Sequence, residues 1–94
     1  MKAELLLHER YDVGRNAFAE LRIWRVPQPL RGSVHGYKYA LAYVVGDECV
    51  LRYDNEAGKG DHRHLGSIED AYLFTDPVQL LADFWLDVDQ WRPG

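Results

Sequence analysis

The clearest alternation in the chain runs from Tyr37 to Val45. Tyr37, Tyr39, Leu41, Tyr43 and Val45 share one face, and Lys38, Ala40, Ala42 and Val44 share the other, the period of two that a half-buried strand requires. Gly46-Asp47 is a two-residue hairpin connection. The chain then returns over Glu48 to Asp54, with Cys49, Leu51 and Tyr53 set against Val50, Arg52 and Asp54. This pattern buries Cys49, and it points Arg52 and Asp54 the same way at the end of a strand. Residues 3–12 and 17–26 form an earlier pair. The first favours helix by its Ala, Glu and Leu content, but the turn-like Tyr11-Asp12-Val13-Gly14-Arg15-Asn16 leads straight into a second strand, where Ala19, Leu21 and Ile23 alternate with Glu20, Arg22 and Trp24. Hairpins over 3–26 and 37–54 are expected, joined by a loop from Pro27 to Gly36.

Two shorter strands are expected at His62–Leu65 and Ala71–Phe74. The final element is a helix over about 77–91. Asp76-Pro77-Val78-Gln79 supplies an N-cap carboxylate, proline in the first turn and Gln at the third position. Leu80, Leu81, Phe84, Trp85, Val88 and Trp91 fall on one arc, with Gln79, Asp83, Asp87 and Gln90 opposite. The expected fold is α+β: an antiparallel sheet of about four to six strands with one C-terminal helix packed on it, in a single domain over 1–94.

Composition narrows the function classes. Three Trp, six Tyr and three Phe in 94 residues argue against disorder. No apolar run is long enough to span a membrane, and the first residues turn charged too soon for a secretory signal, so no membrane association and a cytoplasmic location are expected. A lone Cys49 excludes an internal disulfide framework. The net charge of −4 is uneven: residues 1–65 hold ten Lys/Arg against nine Asp/Glu, and residues 66–94 hold one against six. That balance opposes broad nucleic-acid binding while leaving room for a local basic site.

Chemistry concentrates between Arg52 and His64, where two His, two Arg, one Lys and two Asp flank Gly58 and Gly60. Two imidazoles suit proton transfer in both directions. For RNA cleavage by internal transesterification, His62 and His64 would serve as base and acid. Lys59, Arg63 and Arg52 would stabilise the phosphorane, Asp54 or Asp61 would orient a ring, and Asn55 lies within substrate reach. No cofactor is needed for this chemistry. A metal site is the competing use: His62 and His64, at i and i+2 of a strand, would share an ion with Asp54 or Asp61. The blander alternative is a solvated loop of ion pairs with no chemistry. Arg31, Ser33 and His35 in the preceding loop could reach a phosphate, or be merely exposed. Trp24 and Tyr43 are read as packing rather than base-stacking platforms.

The run Leu51-Arg52-Tyr53-Asp54-Asn55 followed by Gly58-Lys59-Gly60-Asp61-His62-Arg63-His64 resembles the signature of the TumE-like toxin family. The likeness extends to Glu20–Pro27, to Tyr37–Val45 and to Leu80-Leu81-Ala82-Asp83-Phe84-Trp85. It implies the toxin of a type II toxin–antitoxin module, with Arg52, Asp54, Lys59, Asp61, His62, Arg63 and His64 as the positions carried over. A cognate helix-turn-helix antitoxin is the implied partner. By analogy with other small toxins, RNA is the implied substrate of a metal-independent endoribonuclease. The alternatives are a non-catalytic binding or regulatory subunit acting with such an antitoxin, and a metal-dependent phosphodiesterase. A homodimer is allowed for.

Overall fold

The structure, a computed structural model, describes residues 2–56 and 58–93; Met1, Gly94 and, within the charged loop, Ala57 lie outside the described residues. Among the described residues, six strands precede one helix: β1 (Glu4–Asp12), β2 (Ala17–Arg25), β3 (Tyr37–Val45), β4 (Glu48–Asp54), β5 (His62–Leu65), β6 (Ile68–Ala71) and α1 (Pro77–Gln90). The strands follow one another across a single sheet in chain order. Every neighbouring pair is antiparallel. This is the expected α+β arrangement, with β1 and β6 at the two edges.

Alternation decides which side is covered. Ala19, Leu21 and Ile23 of β2, Tyr39, Leu41 and Tyr43 of β3, and Leu51 and Tyr53 of β4 are buried together with Leu80, Phe84 and Val88 of α1. Edge-on ring contacts tie the two layers at 5.7 Å between Tyr53 and Phe84 and 5.9 Å between Tyr43 and Trp91. Phe84 is fully buried, and its loss to alanine would cost about 3–5 kcal/mol. The residues between these positions, among them Phe18, Glu20, Arg22, Trp24, Lys38, Ala40, Arg52 and Asp54, point to the side that α1 does not cover.

The helix begins as its sequence predicts. Asp76 Oδ1 accepts from the Gln79 N–H at 2.8 Å, and proline occupies the first turn. The reciprocal half of a capping box is absent, because Gln79 Nε2 donates to Asp83 Oδ1 at 2.7 Å instead. Asp83 and Asp87 also depart from the expected solvent arc. They accept hydrogen bonds from the Tyr72 and Tyr53 hydroxyls, so the acidic side of the helix leans against the β5–β6 end of the sheet.

Two further expectations fail. The sixth strand is Ile68–Ala71, not Ala71–Phe74. Gly66 takes φ +61, and Leu65 pairs with Ile68 across a two-residue turn, so hairpin closure recruits the polar Ile68-Glu69-Asp70-Ala71 in place of the more strand-like Tyr72-Leu73-Phe74. Cys49 is exposed rather than buried. The register slips between Tyr43↔Leu51 and Val44↔Cys49. The extra residue, Val50, is buried beside Leu51, and the bulge turns Cys49 outward.

Candidate functional site

The β4–β5 ladder sorts the charged residues by face. Arg52 pairs with His64, Tyr53 with Arg63, and Asp54 with His62. Directly paired residues share a side, so Arg52, Asp54, His62 and His64 meet on the open face. Arg63 goes to the other side. There its guanidinium stands 3.3 Å from Asp87 Oδ2 and 3.8 Å from Asp70 Oδ2, with its Cζ 6.0 Å from the Tyr53 ring centroid.

On the open face the Asp54 carboxylate bridges two strands. One oxygen is 3.1 Å from Arg52 Nε and the other 2.6 Å from His62 Nε2. His62 is only 4% exposed, and its Nδ1 lies 3.0 Å from the Gly60 carbonyl. The close contact of His62 Nε2 with Asp54 Oδ1 lies off the axis a hydrogen bond needs, and both atoms are buried without a hydrogen-bond partner; His64 Nε2 is in the same condition. His64 stands edge-on to His62, ring centroids 5.0 Å apart, and its Nε2 is 3.7 Å from Glu69 Oε2 on β6. His62, His64 and Glu69 thus bring three potential ligand atoms within 4.8 Å of one another. Glu69 carries no motif signal, and the misplaced sixth strand hid it.

Asp61 serves a different histidine. It accepts from Ser33 Oγ at 2.6 Å and from the Tyr39 hydroxyl at 2.7 Å, and it lies 2.6 Å from His35 Nε2. Because His35 Nδ1 accepts the Tyr37 N–H at 3.2 Å, the ring hydrogen sits on Nε2 and is donated to Asp61. Burial pushes the Asp61 carboxyl up. The hydrogen bonds from Ser33, His35 and Tyr39 outweigh that effect and hold it below the usual carboxylate range. The His35 ring stacks on Phe74 at 3.9 Å. Asn55, fully buried, accepts from the Tyr39 N–H at 2.9 Å and donates to the Tyr37 carbonyl at 2.7 Å.

These contacts clamp the Pro27–Gly36 loop onto the Asn55–Asp61 loop, and Ser33 and His35 are part of the clamp rather than free loop residues. A Cβ on Gly60 would come 2.8 Å from the Gly32 carbonyl oxygen, so the two backbones touch where only glycine fits. Lys59 sits exposed on the turn between Gly58 and Gly60.

The rest of the open face is basic and aromatic. Arg10 Cζ lies 3.7 Å above the Phe18 ring centroid and Lys38 Nζ lies 5.1 Å from that of Trp24. Trp24 is therefore a half-buried residue of the open face, whereas Tyr43 packs in the core. His8 and Arg22 reach Glu20 at 3.6 and 3.3 Å. Shallow concavities mark the surface, among them one of about 220 Å³ lined by residues including Lys38, Arg52 and Asp54 and one of about 180 Å³ lined by Cys49, Arg52, His64 and Gly66. Although the Cys49 residue is exposed, partial desolvation of its sulfur pushes the thiol up, with partial offset from Arg52. A roomier cleft of about 610 Å³ lies elsewhere, between Glu48, Leu65 and the end of α1. Among the described residues its walls carry none of the histidines, so size alone does not mark the candidate site.

No curated protein and no solved structure matches the chain. A family described as Toxin TumE matches residues 2–92, which takes in all six strands and the helix. The chain therefore belongs to the TumE toxin family and is the toxin of a toxin–antitoxin system.

Proposed function

We propose that this toxin acts on RNA, and that it cuts the strand on the open face of the sheet without help from a metal ion. The observation that carries the reading is the direct pairing of Arg52 with His64 across β4 and β5. A cation and an imidazole held side by side on rigid strands suit a phosphodiester: His64 takes the 2′-hydroxyl proton as that oxygen bonds to phosphorus, Arg52 offsets the charge that gathers on the phosphorane, and the imidazolium returns the proton to the 5′-oxygen as its bond to phosphorus breaks. His62, buried behind His64 and paired with Asp54, acts as a positioning residue. Arg10, Arg22, Lys38 and the exposed Lys59 would follow the backbone. Trp24 and Phe18 offer ring faces to bases, the stacking used in single-strand recognition. Arg63, Asp61 and Asn55 support the framework in this scheme rather than touching substrate.

The antitoxin, proposed to carry a helix-turn-helix, has free strand edges to use. β1 offers nine residues along one side of the sheet, with Leu5 and Leu6 exposed, the geometry of strand addition. A second copy of the chain would compete for the same edge.

The test is purified toxin incubated with single-stranded RNA in chelator-treated buffer. Cleavage leaving cyclic phosphate ends, lost in both His64→Ala and Arg52→Ala, is the expected result. Intact RNA across a range of pH would reject the reading.

A further inference from the structure

We infer that His62, His64 and Glu69 form a binding site for a divalent transition metal of the zinc type. Their ligand atoms lie within 4.8 Å of one another. The 3.7 Å between His64 Nε2 and Glu69 Oε2 is close to the roughly 3.3 Å that separates two donors on a tetrahedral zinc, given bonds of ~2.0–2.1 Å. The donor set of two imidazoles and one carboxylate suits zinc, cobalt or nickel better than magnesium or calcium.

A second observation points the same way. His62 Nδ1 sits against the Gly60 carbonyl at 3.0 Å. That contact places a hydrogen on Nδ1, so the neutral ring would present its lone pair at Nε2, the outer-sphere arrangement typical of a metal-bound histidine. The Nε2 atoms of both histidines are buried and make no hydrogen bond, a condition that native proteins seldom leave uncompensated. Asp54 Oδ1, also without a hydrogen bond, stands 2.6 Å from His62 Nε2. This is too close for both to ligate one tetrahedral ion, so Asp54 would draw back and supply negative charge beside it.

Local charge permits a cation. Arg63, adjacent in sequence to both histidines, is turned to the far side and paired with Asp87 and Asp70. Arg52 is held by Asp54. The scaffold is firm: His62 and His64 share a face of β5, and the register sets Glu69 of β6 opposite His64. Half-exposed Glu69 leaves the site open to solvent. An ion there would staple the edge hairpin and occupy the His64 lone pair. Resting on the RNA-cleavage reading, that makes the metal an inhibitor of the chemistry assigned to His64.

The experiment titrates metal-stripped full-length protein with zinc by calorimetry and with cobalt by visible absorption. One ion per chain, cobalt bands of four-coordinate intensity and no response to magnesium are expected. Zinc should raise the melting temperature of the wild type. Glu69→Gln and His64→Ala, checked for folding by circular dichroism, should bind zinc at least ~10-fold more weakly and lose that rise, whereas His8→Ala should bind as wild type. Absence of stoichiometric binding, or wild-type affinity in both ligand variants, overturns the site. A parallel RNA assay separates the two proposals. If metal-free protein leaves RNA intact, the cleavage reading falls and the binding result stands; if zinc accelerates cleavage, inhibition is overturned.

Discussion

Arg63 and His64 are consecutive residues whose side chains lie on opposite sides of the sheet, Arg63 against Asp87 of α1 and His64 toward Glu69 on the uncovered side. Their substitutions should therefore separate stability from activity. Arg63→Ala leaves the partly buried Asp87 and Tyr53 without a cationic neighbour and should cost about 1–2 kcal/mol in urea denaturation, with RNA cleavage retained. His64→Ala should cost less than ~1 kcal/mol and abolish cleavage. Equal effects of the two variants on activity would contradict the separation of faces.

Alkaline titration should single out three tyrosines. Burial first, and then the neighbouring Asp61, Asp87 and Asp83, push Tyr39, Tyr53 and Tyr72 above the ordinary range. The folded state thus holds the neutral phenols. The stabilisation they contribute is complete below the ordinary tyrosine pKa of ~10 and is lost as pH rises beyond it, because the unfolded chain ionises first. Near-ultraviolet tyrosinate absorbance should show these three ionising only as circular dichroism reports unfolding. Smooth ionisation of all six tyrosines in the folded protein would contradict this.

Gly60→Ala should be far worse than Gly14→Ala. Both residues have positive φ, +75 and +114, but a Cβ at Gly14 meets nothing within 4 Å while one at Gly60 meets the Gly32 carbonyl at 2.8 Å. The backbone strain common to both is about 1–3 kcal/mol, and the clash adds to it only at Gly60. Thermal denaturation of the two variants checks the order.

Asp76→Ala removes the side-chain acceptor of the Gln79 N–H and should cost about 1 kcal/mol. Asp76→Asn, which keeps an acceptor oxygen, should recover most of it. Urea midpoints of the two variants decide.

Much of the framework could be read from residue pattern alone. Strict alternation in β2 and β3 and the Asp-Pro start of α1 carry their own physical signals, whereas the order of strands was not legible, because connections as long as residues 26–36 and 55–61 leave a strand's neighbour open. β6 was hidden because Ile68-Glu69-Asp70-Ala71 has no strand propensity to display; its conformation comes from the partner β5 and from Gly66. Cys49 escaped because a bulge shifts the register by one residue without marking the sequence. Within the site, the alternation that aligns His62 with His64 also sends Arg63 away, so that separation was available from spacing. The Asp61–His35 contact joins residues 26 positions apart. It depends on how two loops fold over one another, which no local pattern encodes.

Strand order that follows chain order has a consequence for synthesis. Each new strand finds its partner already made, so the sheet can zip as it emerges from the ribosome, with short loops to close and little waiting for distant segments. Its greasy side, however, has no lid until the residues from Pro77 onward appear. A nascent chain stalled before that point would be the sticky species, and a message broken near its end would yield an aggregate rather than a poison.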